Sequence, residues 1–130
     1  MRNIITAILF FFAINECYAG GCSYTEDMMR KNSEKYGKLL KIDIEKIEIG
    51  YGVNMSVPFS IEDSELQQAY VVKKDWRNDK ELFVFPISMY QENKELNGWF
   101  NISEDLFSNI ALYIDYGEGC SFTIRKAIKH

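Results

Sequence analysis

Histidine is almost missing from this chain: the one residue of that type is His130, the last of 130. A terminal side chain is seldom held in a fixed place, so Ser-His-Asp and Cys-His machinery and histidine metal sites drop out. Glycine-rich phosphate loops, Cys-x-x-Cys pairs and calcium-loop patterns are lacking as well. No cofactor and no metal is therefore expected. Basic clusters are also lacking, and 15 Lys and Arg are outnumbered by 19 Asp and Glu, for a net charge of −4. Nucleic acid and anionic membrane surfaces are held through lysine and arginine, so neither is an expected partner. Proline is scarce, with Pro58 and Pro86 the only two. Each lacks the N–H that a central strand donates, which predicts that their strands lie at sheet edges or are interrupted by bulges.

Long apolar runs are confined to the start. Arg2 precedes an apolar stretch over 4–14, broken by Thr6 and followed by Asn15-Glu16 and Cys17-Tyr18-Ala19-Gly20. A basic start, a short apolar middle and small residues before a cut describe a secretory signal peptide over 1–19. The run is too short to span a bilayer, which needs ~20 apolar residues. Cleavage after Ala19 leaves one domain over 20–130, too short for two. It also removes Cys17 and leaves Cys22 and Cys120, an even pair in an oxidising compartment, periplasmic or extracellular. A Cys22–Cys120 bridge would close most of the mature chain, worth up to ~4–5 kcal/mol in the chain-entropy model.

What the chain does contain is alternation of period two. Over 110–116 and 120–124, Ile110, Leu112, Ile114, Tyr116, Cys120, Phe122 and Ile124 share one parity across a Gly117-Glu118-Gly119 turn. A three-residue loop with Gly119 at positive φ sets Tyr116 opposite Cys120, Ile114 opposite Phe122 and Leu112 opposite Ile124. Ile42, Ile44, Ile47 and Ile49 change parity midway, which predicts a bulge near Glu45-Lys46. A turn is expected at Gly50-Tyr51-Gly52, then strands over 53–59, 66–73, 82–87 and 98–102. The continuous apolar run 82–87 reads as covered on both faces. One helix is expected within 23–40, capped by Thr25 with Glu26 and Asp27 in its first turn. About seven strands separated by turns predict an antiparallel immunoglobulin-like β-sandwich with a short N-terminal helix.

Catalysis would have to rest on carboxylates. Glu62-Asp63, Asp75, Asp79 and Glu104-Asp105 are available for glycosidic hydrolysis or for a loop-bound cation, but all fall in connections. No catalytic residue is assigned. Aromatics point elsewhere: Trp76 stands in a polar loop, and Trp99 falls on the parity opposite Phe100 and Ile102. With Tyr90 they are the candidate binding residues, although large aromatics are ordinarily buried, and Phe83, Phe85 and Tyr90 also suit a core. Asn54-Met55-Ser56 and Asn101-Ile102-Ser103 match glycosylation acceptors, both on outward parity. These observations describe a small exported, non-enzymatic protein-interaction domain, such as an inhibitor, immunity or accessory factor. A glycan-binding module using Trp76, Trp99 or Tyr90 is the alternative, and a carboxylate hydrolase the third reading.

Overall fold

The computed structural model describes residues 25–75, 77–119 and 122–130. The signal peptide over 1–19, the Cys22–Cys120 bridge and Trp76 fall outside the described residues. Within them the chain forms helix α1 (Glu26–Tyr36) and strands β1 (Lys41–Ile47), β2 (Gly50–Pro58), β3 (Ser60–Ile61), β4 (Ser64–Asp75), β5 (Lys80–Pro86), β6 (Tyr90–Glu92), β7 (Glu95–Ser103), β8 (Ile110–Tyr116) and β9 (Phe122–Ile128). Single 3-10 turns at Gly37–Leu39 and Glu104–Leu106 complete the elements.

All pairings are antiparallel, and they make two sheets. One has the order β1-β2-β7-β6; the other has β3-β4-β8-β9, with β5 also on β4. In immunoglobulin letters the first is A-B-E-D and the second C′-C-F-G, with β5 as C′ and the short β3 as an addition to that sandwich. Nine strands stand where about seven were expected. The two that alternation does not reveal are β3 and β6, of two and three residues. They arise at tight turns: Glu62 and Asp63 take φ of 48° and 64° between β3 and β4, and Asn93 takes 58° between β6 and β7. Short polar residues bear such backbone angles best.

Between the sheets lie Val53, Met55 and Val57 of β2, Val71 of β4, Phe100 and Ile102 of β7, Leu112, Ile114 and Tyr116 of β8, and Ile124 and Ile128 of β9. Tyr116 is fully buried, and its hydroxyl donates to Pro58 O at 2.8 Å, which ties the second sheet to the first. Burial raises its pKa above the ordinary 10.0 of a phenol.

Pro86 lies on an edge strand as expected, but the expectation is corrected for Pro58, whose strand β2 is interior and free of bulges and tolerates the missing N–H only because Pro58 ends it. Phe59 N donates to Lys94 O, so by the alternation of antiparallel pairing the Pro58 nitrogen faces away from β7, on the side of β1. Pairing with β1 ends one step earlier, at Lys41 opposite Ser56. Pro86 lies on β5, which pairs with β4 alone.

Three expectations about register are corrected. The β1–β2 register runs unbroken from Lys41–Ser56 to Ile47–Gly50, without a bulge at Glu45-Lys46. The turn is Glu48-Ile49, which leaves Ile49 72% exposed and places Gly50-Tyr51-Gly52 inside β2. Gly50 is needed for close approach there, since a Cβ would stand 2.1 Å from Ile102 O. The β8–β9 hairpin pairs Tyr116 with Phe122, Ile114 with Ile124 and Leu112 with Lys126, two residues along from the expected register. β8 ends at Tyr116 and β9 begins at Phe122, more than three residues on, and Gly119 does take a positive φ, 65°.

Helix α1 begins as expected, with Thr25 Oγ1 accepting from Met28 N at 3.2 Å. It lies along the free edge of β9. Ser33 Oγ accepts from Arg125 N at 2.9 Å, and Lys126 Nζ donates to Gly37 O at 3.0 Å and Leu40 O at 2.6 Å. The Tyr36 ring stacks on Phe122, which in turn stacks on Tyr116, with centroids 5.2 and 5.4 Å apart.

Candidate functional site

Two surfaces bring together residues with something to offer a ligand. The first is the strand β5 and the groove beside it. The pairs Val71–Phe85, Val72–Val84 and Lys73–Phe83 hold β5 to β4, after which Lys74 faces Glu81 and Leu82 is left as the extra residue of a bulge. Ile87 N donates to Ala69 O, and counting back two residues at a time puts the backbone groups of Phe85 and Phe83 toward β4. Those of Val84 face the open edge. Among the described residues no strand pairs with β5 on that side.

Apolar side chains cover both faces of this edge. Leu82 and Val84 are 53% and 49% exposed on the outside. Phe83 and Phe85 turn inward, stacked on each other at 5.7 Å, with Phe85 meeting Phe100 edge-on at 5.3 Å. They line a groove of about 300 Å³ with Asn101, Ile102, Ser103 and Leu106. The groove exists because β6 pairs with β7 only over Glu95–Asn97, which leaves the rest of β7 open on the same flank. The expectation that 82–87 is covered on both faces is thus corrected, because no element packs over Leu82 and Val84. Pro86 was the one sequence signal for an edge strand here.

The second surface is the outer face of the first sheet. Trp99 is exposed there, as its parity indicates, and so is Tyr90, which therefore belongs to no core. The register sets Asn54 opposite Trp99 and Tyr90 opposite Asn97. The two rings thus share one face, and Asn54 and Asn101 share it with them. On the same face Glu95 accepts from Ser56 Oγ at 2.7 Å and pairs with Lys41 at 3.2 Å. These two contacts, the serine first, hold its carboxyl below the usual range.

Of the carboxylates considered for catalysis, Glu62, Asp75 and Glu104 are engaged in structure. Glu62 pairs with Lys35 at 3.1 Å, and a hydrogen bond from Tyr36 and then that lysine lower its pKa. Asp75 caps its turn by accepting from Arg77 N at 3.0 Å and Asn78 Nδ2 at 2.8 Å. Glu104 pairs with Lys46 at 2.9 Å. Asp63 and Asp79 occupy turn positions at positive φ. Among the described residues no group of three His, Cys, Asp or Glu converges to hold a metal ion. No helix among them is long and apolar enough to cross a membrane.

Sequence reasoning missed two buried polar clusters. Asp115, 1% exposed, accepts from Gln68 Nε2 and from Thr123 Oγ1. Lys73 reaches through the sandwich end to donate to Leu106 O and Ser108 O. Both sets of hydrogen bonds are internal, so they fix loops and strands and offer nothing outward.

No protein-family model, curated protein or solved structure matches the chain.

Proposed function

We propose that the protein is a small exported, non-enzymatic interaction domain that binds another protein by accepting one of its strands along β5. The observation that carries this reading is an edge strand with free backbone groups at Val84 and apolar side chains on both faces. Unpaired strand edges template the pairing of a further strand, and proteins ordinarily blunt or cover them. In strand addition the main chain supplies affinity, and pockets for alternate side chains supply specificity. Here the incoming strand would place alternate residues over Leu82 and Val84 on one side, and in the groove of Phe83, Phe85 and Leu106 on the other. The Leu82 bulge and Pro86 bound the open length, which limits pairing to a short strand and guards against indiscriminate growth of the sheet.

Export to a periplasm or outside the cell, with residues 1–19 removed and Cys22 joined to Cys120, is part of the same proposal. The inhibitor, immunity or accessory roles all use a surface of this kind. A photo-reactive phenylalanine analogue at Val84 in the native host should crosslink one discrete protein. The same group at Lys31, on the helix at the opposite edge, should not. Crosslinking at Lys31 alone, or the same products from both positions, would refute the assignment. Mass spectrometry of the native protein should show a chain starting at residue 20 and lighter by two hydrogens.

A further inference from the structure

The face carrying Trp99 adjoins the β5 groove at Asn101 but has its own chemistry. Four strands present a mostly polar surface there, interrupted by two rings, Trp99 at 63% and Tyr90 at 55% exposure. Asn54 and Trp99 form a pair without mutual backbone hydrogen bonds, the arrangement in which side chains of neighbouring strands come closest. Asn97 and Asn101 lie two residues to either side of Trp99 on β7, and Asp43 faces Asn54 from β1. Tyr90, 55% exposed and opposite Asn97, is diagonal to Trp99. That offset is roughly 7–8 Å, within reach of aromatic side chains. Gly52 stands opposite Asn101, and a Cβ there would come within 3.3 Å of Asn101 Oδ1, so the glycine leaves the amide room to lie along the sheet. None of the side chains of Asn54, Asn101 and Asp43 has a hydrogen-bond partner among the described residues.

We propose that this face binds an uncharged oligosaccharide, with Trp99 stacked on one pyranose ring, Tyr90 on a neighbouring one, and Asn54, Asn101 and Asp43 hydrogen-bonding the hydroxyls. A pyranose is amphipathic: its C–H groups make an apolar face with positive edges, which suits the negative face of an aromatic ring. Its hydroxyls both donate and accept, which an amide matches with two donors and an acceptor in one planar group. Charge narrows the class. Asp43, Glu45, Glu92 and Glu95 share the face with Lys41 as the only cation of the paired positions. Uronic and sialylated chains would meet repulsion, and uncharged ones would not.

The test is calorimetric and fluorescence titration of the mature protein with cellohexaose, N-acetylated chitohexaose and maltohexaose, with oligogalacturonate as the anionic control. At least one uncharged chain should bind and shift tryptophan emission, while the galacturonate should not. Trp99→Ala should weaken binding by about tenfold or more, the scale of a central aromatic anchor, with the circular dichroism unchanged. Trp99→Tyr should retain most of the affinity, Asn54→Ala should lose several-fold, and Val84→Lys should leave binding as it was. No heat and no emission change with any of the three uncharged chains would overturn the proposal. So would galacturonate binding equally well, unchanged affinity in Trp99→Ala, or a protein partner captured through this face instead.

Discussion

The two outer strands of the five-stranded sheet meet solvent in opposite ways. At β9 the only α-helix among the described residues lies along the edge, takes the Arg125 N–H on Ser33 and stacks Tyr36 on Phe122. Leu40 closes that side at 1% exposure. At β5 no described element lies beyond the strand, and two aliphatic side chains stand half exposed. Exposed apolar edges are aggregation hazards that folds ordinarily remove. Under the proposed function this contrast separates two tasks, β9 serving the stability of the fold and β5 the docking of a partner strand.

That division can be broken or sharpened by substitution. The largest effect belongs to the covered edge. Leu40→Ala should lower unfolding free energy by about 3 kcal/mol in urea titration, the range for a fully buried leucine. A loss under about 1 kcal/mol would mean that the helix is dispensable. Next comes Tyr116, the inner ring of the Tyr36–Phe122–Tyr116 column. Tyr116→Phe leaves Pro58 O without its donor and should cost about 1–2 kcal/mol. It should also change the response to alkali. A phenol whose pKa is raised on folding stabilises the native state below its unfolded value and ceases to do so as pH climbs above it. The wild type should therefore lose stability above about pH 10 more steeply than the phenylalanine variant. Denaturant midpoints from neutral to alkaline pH check this, and parallel curves would contradict it.

Smaller effects follow. Ser33→Ala removes the acceptor for Arg125 N and should cost about 1 kcal/mol, with faster exchange of that amide. On the open edge, Val84→Lys should change stability by less than about 0.5 kcal/mol, as exposed positions do. In the crosslinking experiment it should nevertheless abolish capture from a photo-reactive group at Leu82. If Val84→Lys proves as destabilising as Leu40→Ala, the two edges do not differ in kind.

Much of the sandwich was legible because its strands obey period two and its turns carry Gly, Asn and Asp. Trp99 is the clearest case: parity alone put it outward, against the general preference of tryptophan for burial. The helix start at Thr25 and the edge position of Pro86 were legible for equally local reasons, one side-chain oxygen and one absent N–H group, whereas Pro58 misled because it ends an interior strand. What the sequence did not show depends on partners. A two-residue slip in the β8–β9 hairpin returns every side chain to the same face, so alternation cannot detect it. The run 82–87 carries apolar residues on both faces whether or not anything covers them, because coverage is a property of neighbouring elements. Tyr90 misled for a related reason: β6 is too short to show a parity of its own, and only its register on Asn97 places the ring outside.

The division between the two edges is most directly tested by amide exchange in the free protein, followed residue by residue by NMR. The Val84 amide, aimed at solvent from an unpaired edge, should exchange at least about a hundredfold faster than the Arg125 amide beneath the helix, as open edges and covered ones differ. Equal protection of Val84 and Arg125 would mean that β5 is already covered, and the reading of it as a docking strand would fall.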